Sequence, residues 1–290
     1  MTLFQISERS ALVEPILVAA FDGWIDAGGA ASAAIERLAD DAQTVVRFED
    51  DLLFDYRSRR PVLDVVDGTL QHLDWPTIRI SGRSVAGHDV LVLSGPEPDF
   101  RWRQLGADLA EVSRQLGVRR WISLGAVPAA VPHTRPVPLF GTASAPGLLP
   151  GDLNQGPEGL LRVPAAAISV LELAVQRSGV PTTGLYAQVP HYVSGPYAAA
   201  TIALLEGLGR ILGTDLPLGD LPEETLAQRQ RLDAAVGGDD EARGYLERLE
   251  SMAEDEIDTT MTMSGDELAS EIERFLQTQG PDEDEPRLGD

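Results

Sequence analysis

The first 214 residues alternate short apolar runs with amphipathic or alanine-rich stretches, the pattern of strands alternating with helices. Residues 16–21 read as a buried strand, 28–39 as a helix and 44–48 as the next strand. Residues 62–66 and 69–73 flank Asp67-Gly68, a two-residue turn signal, so an antiparallel ribbon is expected here, with 77–81 as a candidate extension. Residues 90–93, 100–116 and 121–124 then read strand, helix, strand: a βαβ unit and hence a parallel sheet. The stretch 126–164, rich in Pro and Gly and poor in periodicity, predicts long loops with a short hairpin around Leu139-Phe140. Loops of that length are usually functional or cover a neighbour. Residues 165–177 predict a helix, 185–189 a strand, and 197–212 a long helix with Ser194 as N-cap and Pro196 in the first turn. The alternation predicts a three-layer α/β/α fold for residues 1–214.

Beyond residue 222 the pattern changes. Segments 222–236, 240–255 and 264–279 are highly charged and helical in pattern, and Ile272, Phe275 and Leu276 supply an apolar stripe. Residues 215–280 therefore read as an acidic helical appendage that packs on the core or on another subunit. The polar, acidic residues 281–290 are expected to be disordered.

Composition narrows the chemistry. Cysteine is absent, which removes disulfides, thiolate nucleophiles and thiolate metal ligands. Lysine is absent too, so all 23 basic residues are arginine, excluding Schiff-base chemistry and the lysine of a phosphate-binding P-loop. Of the net charge of −23, residues 215–290 carry −17, from 23 acidic and 6 arginine side chains. A field of that sign repels phosphate backbones and anionic lipid, so neither nucleic acid nor membrane is expected as a partner. The longest apolar run, 164–175, is interrupted by Ser169 and Glu172, short of the roughly 20 residues a membrane span needs. The first residues lack the basic start and apolar stretch of a secretory signal, and a cytoplasmic location is expected.

Two segments carry candidate binding chemistry. After the first predicted strand come Asp22, Gly23, Trp24, Asp26, Gly28 and Gly29, followed directly by a helix. The carboxyl end of a strand is where ligands sit in open α/β sheets, and a helix N-terminus offers free N–H groups to an anion. Two roles stay open for the paired carboxylates: holding a ligand, or capping the helix and stiffening the loop. The second cluster places Arg57, Arg59 and Arg60 beside Tyr56 at the entry to the ribbon. Arginine forks suit carboxylate or phosphate, yet Glu49, Asp50, Asp51 and Asp55 stand near enough in sequence to pair with them. Of the four histidines, His72, His88, His133 and His191, none pairs with another at metal-ligand spacing, so no metal site is expected. Gly82-Arg83-Ser84-Val85-Ala86 lacks the last glycine of a nucleophile elbow. His191 and Tyr192, between a predicted strand and helix, are the best-placed histidine and phenol for a pocket, with plain packing as the competing role. No catalytic residue and no cofactor is assigned.

Four separated segments resemble the bacterial branch of the proteasome assembly chaperone 2 family: Phe21-Asp22-Gly23-Trp24-Ile25-Asp26-Ala27-Gly28, Asp55-Tyr56-Arg57-Ser58-Arg59-Arg60-Pro61, Ser94-Gly95-Pro96-Glu97-Pro98-Asp99-Phe100-Arg101-Trp102 and Pro190-His191-Tyr192-Val193. The resemblance implies an α/β/α fold like that of purine nucleoside phosphorylases and related hydrolases, self-association into homo-oligomers, and protein partners. Archaeal and eukaryotic members bind proteasome α-subunits, some through a C-terminal hydrophobic-tyrosine-any-residue tail; this chain ends Leu288-Gly289-Asp290 instead. Bacterial relatives carry a carboxylate–amine ligase label, chemistry whose phosphates are usually held by lysines. A non-catalytic binding or assembly protein is therefore the expected function. The alternative is an enzyme or sensor that takes a small anionic or nucleoside-like ligand at the carboxyl ends of the strands.

Overall fold

The computed structural model describes residues 2–7, 12–85, 87–151, 153–156 and 159–258. In chain order its elements are β1 (Phe4–Ile6), β2 (Ile16–Ala19), α1 (Ala30–Ala39), β3 (Gln43–Phe48), β4 (Val62–Val66), β5 (Thr69–Asp74), β6 (Arg79–Val85), β7 (His88–Ser94), α2 (Trp102–Leu116), β8 (Arg120–Ala129), β9 (Leu139–Ala143), β10 (Asn154–Gln155), α3 (Ala167–Arg177), β11 (Thr182–Pro190), α4 (Ala198–Leu212), α5 (Leu221–Gly237) and α6 (Asp240–Asp258).

The sheet is organised around β2, whose four residues are apolar and buried without alternation. It runs parallel to β7 on one side and β8 on the other, and β11 continues the parallel set beyond β8. Both faces of β2 are covered, which is why its sequence reads as a continuous apolar run. Ile16 and Val18 pack with Ala31, Ile35 and Leu38 of α1 and Leu204 and Leu208 of α4. Leu17 and Ala19 face the other layer, where Leu105, Leu109 and Val112 of α2 meet Leu171 and Val175 of α3. Helices α2 and α3 come close: a Cβ added at Gly106 would stand 2.9 Å from Cβ of Ala174. The βαβ unit is present as β7, α2 and β8, with β2 between its two strands. Antiparallel strands complete both flanks, giving the order β1-β3-β6-β7-β2-β8-β11-β9-β10.

Three local expectations are corrected. Residues 79–85 do not extend the ribbon; as β6 they join the main sheet, with Ile80 opposite Leu93 of β7. The side chains of Ile78 and Ile80 are fully buried there, whereas every residue of β4 and β5 is exposed. Leu139-Phe140 form no local hairpin; β9 pairs antiparallel with β11 and parallel with β10. Ser194 does not cap α4, which begins at Ala198 after Tyr197, and the Tyr197 N–H instead donates to the Gly28 carbonyl at 2.8 Å.

Helices α5 and α6 lie against their own chain. Leu221 and Leu249 are buried, and polar ties from α5 and α6 reach the loops that follow β8 and β11. The expected helix at 264–279 with its apolar stripe, and the tail 281–290, lie outside the described residues. Among the described residues no helix is long and apolar enough to cross a membrane.

Candidate functional site

Three of the four sequence segments singled out above meet at the carboxyl ends of β2 and β7. Asp26 sits 9% exposed, and its Oδ1 accepts the Ala31 N–H at 2.7 Å and the Ser32 N–H at 3.2 Å in the first turn of α1. Those are the donors a helix start would otherwise offer to an anion, so Asp26 supplies the negative charge itself. Burial pushes its carboxyl above the ordinary value, against the hydrogen bonds from Ser32 and Ala31. The loop before α1 is equally filled. Gly28 holds φ +63, and a Cβ there would approach Cβ of Tyr197 to 2.8 Å.

Asp22 pairs with Arg59 at 2.9 Å, joining the first segment to the second. The third enters through Glu97, a residue given no role in the sequence reading. One carboxylate oxygen of Glu97 accepts the Trp24 N–H at 3.0 Å and the other accepts the N–H of Ala167, the first residue of α3, at 2.6 Å. A Cβ at Gly23 would fall 2.6 Å from Cβ of Glu97, so glycine is required for that approach. The 55–61 and 94–102 segments are tied by the Asp55 N–H donating to Asp99 at 2.8 Å, and by the Asp99 and Phe100 N–H groups donating to the Leu53 carbonyl. Arg57 and Arg60 are left exposed beside this knot, with Trp24 and Phe100 about half exposed.

His191 and Tyr192 belong to a different cluster, after β11. His191 Nδ1 lies 3.1 Å from the Ala129 carbonyl, which can only accept, so Nδ1 carries the proton. Nε2 is then the acceptor for the Tyr245 hydroxyl of α6, 3.2 Å away. Tyr192 Oη accepts the backbone N–H of His133 and stands 2.8 Å from its Nδ1, while His133 Nε2 faces Asp233 of α5 at 3.1 Å. In the tautomer with Nε2–H, Nε2 donates to Asp233 and Tyr192 donates to Nδ1, so both ring nitrogens of His133 are hydrogen-bonded. Burial pushes the Tyr192 phenol up to about 12, so it stays protonated. The rings of His133, His191, Tyr192 and Tyr245 stack edge to face, and Arg248 lies over Tyr245. The side chain of His133 is 1% exposed. The cluster clasps α5 and α6 to the core. His133, Asp233 and Tyr245 carried no sequence signal, being 58 and more residues from His191 in one direction and 42 and more in the other.

The structure thus brings Asp22 to Arg59 and His191 to Tyr192, and among the described residues no hydrogen bond or ion pair links the first pair to the second. Backbone joins the regions, with the Tyr197 N–H donating to the Gly28 carbonyl. Among the described residues no three His, Asp or Glu side chains gather as around a metal ion. Elsewhere, Glu172 of α3 is half-buried against the sheet, where its Oε2 accepts the Ser123 hydroxyl at 2.6 Å and desolvation pushes its carboxyl upward.

Taken together these observations define a mixed α/β protein with helices on both faces of its sheet, whose strand-end loops are tied to one another by the Asp22–Arg59 pair and by Glu97, while Asp26 holds the start of α1. The chain belongs to the PAC2 family, whose model matches residues 20–236, a span that holds all four segments. It is similar to the protein Rv2714 of Mycobacterium tuberculosis, of unknown function, at 31% identity and a TM-score of 0.84 over 96% of this chain and 97% of that one. It is also similar to the M. tuberculosis proteasome-assembly chaperone homologue Rv2125, at 38% identity and a TM-score of 0.72 over 80% and 99% of the two chains. The archaeal proteasome activator PbaB of Pyrococcus furiosus, at 15% identity, shares the fold, with a TM-score of 0.61 over 81% of this chain and 99% of that one. No curated protein matches the chain.

Proposed function

We propose that this chain is a non-catalytic protein-binding subunit, chaperone-like in the sense of its family, that self-associates and contacts a protein partner in the cytoplasm. The observation that carries the reading is the β4–β5 ribbon. Val62, Val65, Val66 and Leu70 are 54–68% exposed, and Leu63 and Leu73 are above 40%. Among the described residues the two strands pair with each other and with no other strand. A lone two-stranded ribbon is marginal in water, and apolar side chains on both of its faces favour a cover from another molecule. The likeness to a proteasome-assembly chaperone homologue at 38% identity supports a protein partner. In the alternative reading a small ligand would sit at the Gly-rich loop; against it stand Asp26, which consumes the helix N–H groups, and Tyr197, which fills the space over Gly28.

The test is cross-linking mass spectrometry in cells, comparing the native chain with a Val65→Glu, Leu70→Glu variant. The reading expects cross-links from the ribbon region to a second copy or to a defined partner, lost in the variant. Cross-links confined to within one chain, in native protein and variant alike, would reject it.

A further inference from the structure

Behind the clasp lies a cavity of about 350 Å³ between the 133–137 loop, α4 and α5, at the small end of the range for ligand pockets. None of the residues of the Gly-rich loop lines it. Its apolar wall is Val137, Ile202 and Leu232. Its polar groups divide into satisfied and unsatisfied. His133 spends both ring nitrogens on Tyr192 and Asp233, Thr134 is bonded to Glu250, and Arg135 to Glu254. Tyr197, 4% exposed, lines the cavity. The Thr225 hydroxyl, which lines it too, is buried and has no hydrogen-bond partner among the described residues. Arg229, its side chain half exposed, forms an ion pair with Asp233 at 3.9 Å, too long for a hydrogen bond. Arg229 and Tyr197 both line the cavity, and burial pushes the Tyr197 phenol up to about 12 against the Arg229 charge. Buried polar groups in native proteins are nearly always paired, which makes the unpaired Thr225 hydroxyl at this cavity unusual.

The cavity thus sets two hydroxyls, Tyr197 and Thr225, and the Arg229 guanidinium beside an apolar wall. We propose that the cavity binds a small monocarboxylate with an apolar body, its carboxylate at Arg229, Tyr197 and Thr225 and its hydrocarbon against Val137, Ile202 and Leu232. A carboxylate is acceptor-only, so both hydroxyls can donate to it, and Arg presents it a planar fork. Asp233 and Glu206 beside Arg229, with Arg135 already paired to Glu254, disfavour a more highly charged phosphate. Because Thr225, Arg229 and Leu232 all come from α5, a ligand that binds only the closed arrangement holds α5 down by mass action. This inference is independent of the assembly reading above.

The probes are isocaproate and phenylacetate, each against its neutral amide, measured by calorimetric titration and by amide hydrogen exchange over residues 221–237 of the full chain. At least one acid is expected to saturate with a Kd on the order of 1 mM or tighter. Its amide and the Arg229→Gln variant should each bind about tenfold more weakly, as for loss of a charged hydrogen bond. Tyr197→Phe removes only the hydroxyl and should weaken the acid severalfold, and the acid should slow exchange in α5. No saturable binding of either acid, equal binding of acid and amide, or unchanged affinity in both variants would overturn the proposal.

Discussion

Gly28→Ala probes the junction that shuts the Gly-rich loop. The substitution acts twice: it puts a side chain on a residue at φ +63, and it drives a Cβ to 2.8 Å from Cβ of Tyr197, whose N–H is bonded to the Gly28 carbonyl. Left-handed backbone in a residue other than glycine costs about 1–2 kcal/mol. Overpacking against a rigid neighbour adds about 1–3 kcal/mol. The neighbouring glycine separates the two contributions. Gly29 has a similar φ of +56, but the nearest atom to an added Cβ is the Ser32 Oγ at 3.8 Å, an ordinary contact. Gly29→Ala therefore bears the backbone cost alone. Urea unfolding of both variants should place Gly28→Ala below native by about 2–5 kcal/mol. Gly29→Ala should lose about 1–2 kcal/mol, with the unfolding slope unchanged in both. Equal losses within about 0.5 kcal/mol would show that Tyr197 yields and that the loop is not locked by packing.

Other expectations follow from the same geometry. Asp26→Ala should cost about 0.5–2 kcal/mol by releasing the start of α1, while Asp26→Asn, an equally good cap, should retain most of it; equal losses in urea unfolding would refute the capping role. Glu172 has a carboxyl raised in the folded state, so its contribution to stability is present below the unfolded value of about 4.5 and is lost as pH rises through the folded one. Glu172→Gln should therefore gain relative to native as pH rises from 4 through the raised value, and a native-minus-variant stability difference that is flat with pH would contradict this. His133→Ala leaves Tyr192 and Asp233 without their shared partner, and should raise hydrogen exchange across α5 by the equivalent of about 1–3 kcal/mol before the sheet is affected. Unchanged exchange in residues 221–237 would show that the clasp does not hold the helix.

The central elements were legible because burial leaves a period in the sequence. The run at 16–19 marks a strand covered on both faces, and Leu105, Leu109, Val112 and Leu116 mark the inner face of α2. The edge strands were not legible: β1 has three residues and β10 two, too few for any period. Strand β6 was misplaced because Arg79, Arg83 and Ser84 interrupt its apolar positions, and only pairing with β7 decides where it goes. At the candidate site, capping by Asp26 was one of two readings open from sequence, and the Asp22–Arg59 pair joins residues 37 apart that both stood among the candidates. Glu97 was hidden between two prolines, since its role depends on the N–H groups of Trp24 and Ala167, far away in sequence. His133 was passed over because its partners, Tyr192 and Asp233, are 59 and 100 residues distant and follow no motif spacing.

The claim that the exposed ribbon serves protein contact is tested most directly by light scattering of the full-length chain at micromolar concentration, beside the Val65→Glu, Leu70→Glu variant. Val65 and Leu70 are exposed and face each other across the ribbon, so the paired glutamates repel locally, while the stability of the main sheet in urea unfolding should stay within about 0.5 kcal/mol of native. The account predicts a native mass that is a multiple of the 31.1 kDa subunit, reduced in the variant. A native mass of 31.1 kDa, or an oligomer that the variant leaves intact, would contradict it.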